Sequence, residues 1–142
     1  MDWRWQKGSW VGRGALPGDF YDLAVTGGDG WDDAPPPEAV ARLEAAHARV
    51  ETLFAAAVHV VCEARRAALG WRDGPPLADW SLVEMRLAAD DRLWVSVHEY
   101  ETDEYSLWMA AFDDAWQTGE VRRRPWVPVE GDPVAAGTIV GV

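Results

Sequence analysis

Residues Pro35 to Gly70 read PPPEAVARLEAAHARVETLFAAAVHVVCEARRAALG. Within this stretch Val40, Leu43, His47, Val50, Phe54, Ala57, Val61, Ala64 and Ala68 recur at alternating steps of three and four, which is the period of a helix with one apolar stripe. The spacing predicts one long amphipathic helix over Glu38–Leu69. Pro35-Pro36-Pro37 sets its first turn, Asp32 and Asp33 add negative charge there, Arg65 and Arg66 complement the C-terminal dipole, and Gly70 supplies the cap. At 1.5 Å per residue such a helix is roughly 45 Å long, more than a small domain needs to cross its own sheet. It is therefore expected to bend, or to project an end that serves as an interface or a homodimer seam.

Outward from the helix the pattern changes to strands. Ser9–Leu16 and Phe20–Val25 flank the turn signal Pro17-Gly18-Asp19, and Gly27-Gly28-Asp29-Gly30 closes the pair. That glycine cluster lacks the Lys-Ser/Thr of a phosphate loop and reads as a connector. After the loop Trp71–Pro76 come Leu82–Leu87, Leu93–Tyr100 and Tyr105–Phe112, joined by short polar connections, with a further strand around Glu120–Arg124. Pro125, Pro128 and Pro133 mark residues 126–142 as an extended tail covering a sheet edge. The expected fold is one α+β domain over residues 1–142: two N-terminal strands, the long helix, then an antiparallel three- to four-stranded meander with the helix on one face.

The chain has 142 residues and a formal charge of -11, with thirteen basic and twenty-four acidic side chains. This balance argues against nucleic acid, whose affinity is built from Lys and Arg displacing counterions, and against anionic membranes. It favours a basic protein partner. Cys62 is alone, so no internal disulfide is expected, and Met1–Lys7 lacks the apolar core of a signal peptide. The most apolar run, Leu53–Cys62, is about half of the roughly 20 residues that cross a bilayer. The expected location is the cytoplasm.

Ten tryptophans need placing, either as core and rim or as an exposed aromatic face. In Leu93–Tyr100, strand parity puts Leu93, Val95 and Val97 on one side and Trp94, Ser96, His98 and Tyr100 on the other. The candidate partner-binding surface combines that aromatic face, Trp94, His98, Tyr100 and Trp108, with an acidic hairpin tip, Glu99, Glu101, Asp103 and Glu104. The alternative is a small metal-dependent enzyme or ligand-binding protein using His98 and the same carboxylates. The spacing supports that alternative weakly, because His98 has no second His at metal-ligand distance and the acids follow no calcium-loop pattern. No cofactor is expected. His47 reads as a hydrogen-bonded core or boundary residue, Cys62 as a buried small hydrophobe, and Arg122-Arg123-Arg124 as a strand end balancing nearby acids. No Gly-x-Ser-x-Gly surrounds any serine.

Trp10-x-Gly12, Leu16-Pro17, a strand ending near Val25, a Pro-initiated helix, and Asp103-Glu104-Tyr105 before Trp108 together resemble a group of small bacterial proteins of unknown function. Many of them are encoded near toxin and immunity genes. The resemblance spans residues 9 to 125, and Tyr105 stands where many members carry His. It implies a stand-alone, non-catalytic, acidic cytoplasmic protein that neutralises a basic toxin domain.

Overall fold

The computed structural model describes residues 2–27, 31, 34–71 and 76–141. The expected charges at Asp32 and Asp33, the connector Gly28–Gly30 and the loop 72–75 lie outside them. The chain order is β1 (Arg4–Gln6), β2 (Ser9–Leu16), β3 (Asp19–Thr26), α1 (Pro37–His47), α2 (Val50–Leu69), a 3-10 turn (Leu77–Asp79), β4 (Trp80–Leu87), β5 (Leu93–Glu99), α3 (Tyr100–Asp103), β6 (Ser106–Phe112), β7 (Thr118–Pro125) and β8 (Thr138–Ile139).

The expected three- to four-stranded meander is overturned: all eight described strands form one mixed sheet in chain order. Its joint is a parallel pairing of β3 with β4, Asp22 opposite Glu84 and Val25 opposite Leu87. Parallel neighbours need a crossover, which α1 and α2 provide. This pairing joins residues far apart in the chain and leaves no local signature. β1 and β8 are three and two residues long, too short to alternate visibly. β8 extends the edge of β7, with Arg122 opposite Ile139, so the tail does reach a sheet edge.

The single helix is also corrected, to two helices set at 80°. Pro37 occupies the first turn and Gly70 caps α2 in the left-handed region at φ 67°, as the sequence signals require. The break is at Ala48 and Arg49. There the amides turn back onto Glu44 and Ala46 carbonyls, and the Arg49 guanidinium lies 5.2 Å over the Trp116 ring. The apolar period continues unbroken across the bend, from Leu43 and Ala46 to Leu53, Ala57 and Val61, all buried. Bending lets α1 pack on β4 and α2 on β5, β6 and β7. The stripe is thus used against the chain's own sheet and is not open as a homodimer seam. Among the described residues no single helix is long and apolar enough to cross a membrane.

Parity places the two sheet faces as expected in β5. Leu93, Val95 and Val97 join the helix-side core with Leu23, Met85 and Phe112. On the opposite face Trp94 packs with Ala88, Met109, Ala111 and Val134, so the tail covers it. His47 is held on β3 by a hydrogen bond between its Nδ1 and the Tyr21 hydroxyl, whose pKa burial pushes up to about 12. Gly14 leaves room for that tyrosine, since a Cβ there would stand 2.5 Å from Tyr21 Cζ.

Candidate functional site

The residues singled out from the sequence divide into two groups. Trp94, His98, Glu99 and Trp108 are at most 1% exposed, and so do not form a surface. Trp108 lies opposite Val97 and therefore faces the helices, away from Trp94. Register across the β5–β6 turn decided this: the connection contains a helical turn, and the two strands pair with Val97 against Trp108.

Glu99 is consumed by folding. Its carboxylate accepts from Arg65 at 2.8 Å and from the Thr102 amide at 3.0 Å, so one side chain both caps α3 and neutralises α2. Arg65, itself buried, also donates to Thr102 Oγ1 and lies 4.1 Å from the Trp71 ring centroid, 5.2 Å from Trp80 and 5.3 Å from Trp108. Such an aromatic cage stabilises a guanidinium removed from water. Asp103 accepts from Trp108 Nε1 at 2.9 Å and from Arg123 at 3.1 Å. The helical period exposed one signal for this lock: Arg65 stands four residues after Val61, on the inward stripe.

The exposed members are Tyr100, Glu101 and Glu104, beside Tyr105. The Tyr105 hydroxyl is bonded to Glu104, which together with that negative charge raises its pKa. Tyr100 rims a groove of about 420 Å³ on the face away from the helices, with Phe20, Asp22, His98 and Trp126 among its walls. Phe20 is 62% exposed, Tyr100 66% and Trp126 44%. The His98 ring forms the wall between two of these aromatics, 4.7 Å from Tyr100 and 4.2 Å from Trp126, centroid to centroid. Its Nε2 is 2.7 Å from the Glu104 carbonyl oxygen and must therefore donate. In the neutral ring Nδ1 is then an acceptor, buried and without a hydrogen-bond donor among the described residues.

Asp22 lines this groove and a second cavity of about 400 Å³ under the chain from Trp126 to Pro133. The groove walls desolvate its carboxyl and raise its pKa, the Glu84 charge adds to this, and Arg13 and Arg86 oppose it. In the second cavity Arg86 is buried and doubly paired with Glu84, at 2.6 and 3.0 Å, and it also donates to Ser9 and Thr26 hydroxyls. Arg124 lies beside them; desolvation lowers its pKa against the opposing pull of Glu84. Phe20, Asp22 and Trp126 were missed from sequence because only the β3–β4 pairing and the returning tail bring them to His98.

Among the described residues no three of His, Cys, Asp and Glu converge in a way that could hold a metal ion. Of the four carboxylates assigned to the metal-dependent alternative, Glu99 and Asp103 are committed to Arg65 and Arg123, and Glu101 and Glu104 are exposed. Cys62 is partly buried, and desolvation raises its thiol pKa, which keeps it protonated. No family model, curated protein or solved structure matches the chain.

Proposed function

We propose that this chain is a non-catalytic acidic binding protein, acting in the cytoplasm, that docks a basic protein at the groove between Phe20, Tyr100 and Trp126. The observation that carries the reading is the groove itself: three exposed aromatic rings around a carboxylate, on a chain of net charge -11. Aromatic rings supply contact area at small entropic cost, and the field of the acidic chain steers a cation towards it. Glu101 and Glu104 extend the negative surface from Tyr100 along the hairpin turn. Neutralising a basic toxin domain is one special case of this role, implied by the resemblance of the sequence to a group of small bacterial proteins of unknown function, many of them encoded near toxin and immunity genes.

The test is affinity capture from bacterial lysate at low and high salt, run in parallel with the wild-type chain, Tyr100→Ala and the double charge reversal Glu101→Lys/Glu104→Lys. The expected result is one basic protein retained at low salt, released at high salt and lost with both variants. Capture of the same proteins by all three chains would overturn the reading.

A further inference from the structure

The groove has a built-in rehearsal of one ligand chemistry. Arg13, on β2 directly opposite Asp22 on β3, carries its guanidinium 5.6 Å over the Phe20 ring, so the chain's own arginine already rests on one aromatic of the rim. Tyr100 and Trp126 keep large exposed areas. The third wall is the buried His98 ring, whose Nδ1 accepts no hydrogen bond from the described residues. Asp22 lines the groove and takes part in none of the ion pairs within 4 Å formed by the described residues. A guanidinium matches this set better than an ammonium ion. It is planar and weakly hydrated, stacks on aromatic faces, and still presents N–H donors in its plane to a carboxylate. The fold uses this pairing elsewhere, with Arg65 over Trp71 and Arg92 4.8 Å over Trp94.

We propose that the groove is an arginine-recognition site: a partner's arginine side chain stacks on the exposed rim rings of Tyr100 and Trp126 and pairs with Asp22. This rests on the docking role above and deepens it by naming the side chain recognised. Lysine, a compact and strongly hydrated point charge, satisfies the electrostatics of an acidic surface without using the rings.

The experiment is calorimetric titration of the full chain with hexa-arginine and with hexa-lysine at about 0.15 M salt, where loose surface attraction is screened. The expected result is about tenfold tighter binding of hexa-arginine, the size of effect that stacking on partly desolvated rings gives. Asp22→Asn, nearly isosteric and so safe for folding, and Tyr100→Ala, at an exposed ring, should each weaken hexa-arginine more than hexa-lysine. Arg13→Ala, which clears the rim, should tighten hexa-arginine. Equal affinity for the two peptides, or a preference unchanged in Asp22→Asn and Tyr100→Ala, overturns arginine recognition while leaving the docking of a basic protein standing. Binding of neither peptide also overturns it, and the lysate capture with its charge-reversal control then decides separately on the docking role.

Discussion

Arg65 and Arg86 are both buried, on opposite faces of the same sheet, and the fold neutralises them in different ways. Arg65 faces a carboxylate with no exposure at all and is walled by three indole rings. Arg86 faces Glu84, whose side chain stays 18% exposed, and borders an open cavity. The first arrangement is a closed lock that ties α2 to the β5–α3 corner. The second is a polar wall that leaves Asp22 unpaired beside it. The difference teaches where function can reside: the acidic residues that stood out in the sequence are largely structural, and the face opposite the helices holds the groove.

The comparison breaks most visibly at Glu99. Glu99→Ala strands the buried Arg65 charge and also removes the α3 cap, so a loss of about 3–5 kcal/mol is expected in chemical denaturation. Arg86→Ala should cost less, about 1–3 kcal/mol, because Glu84 regains water and only the Ser9 and Thr26 hydroxyls lose a donor. Equal losses at the two sites would erase the distinction between lock and wall. Val134→Ala, which thins the cover over Trp94, should cost about 1–2 kcal/mol and leave the helix-side core intact, as read by hydrogen exchange in α2.

Asp22→Asn sharpens the contrast through pH. The folded state holds the Asp22 proton more tightly than the unfolded chain, so the stability it contributes is complete below the ordinary value of 3.8 and is lost as pH rises through the raised folded value. The variant should therefore melt slightly above the wild type at neutral pH, with the gap closing in acid. The smallest effect belongs to Tyr100→Ala, within about 0.5 kcal/mol in stability, since the ring is exposed, whereas its effect on partner capture is large.

Much of this was legible locally. Pro37 and Gly70 bound the helical segment, parity assigned Val95 and Trp94 to opposite faces, and His47 was read as a hydrogen-bonded boundary residue. Of the candidate site, His98 and Tyr100 remain at the groove, while Glu99, Asp103, Trp94 and Trp108 turn inward. Length alone predicts a bend or a projecting end, but the position of the break was hidden because the three-four period runs through Ala48 and Arg49 without a Pro or Gly to mark it. The acidic hairpin looked solvated because an acid's partner across 34 residues, as with Arg65 and Glu99, is invisible to any short window.

The sequence by itself determined what depends on neighbours along the chain: helix ends, strand alternation, the Pro17–Gly18 turn and the strongly acidic balance. Backbone geometry and solvent act on those features within a few residues. Only the tertiary structure decided that β3 lies parallel to β4, that the helix breaks at Ala48 and Arg49 so that its two parts pack on β4 and on β5 to β7, and that Trp126 returns to His98. Those outcomes follow from burying one apolar face across an eight-stranded sheet and pairing the charges trapped there. That is a global minimum in exposed surface, and no single stretch of the chain contains it.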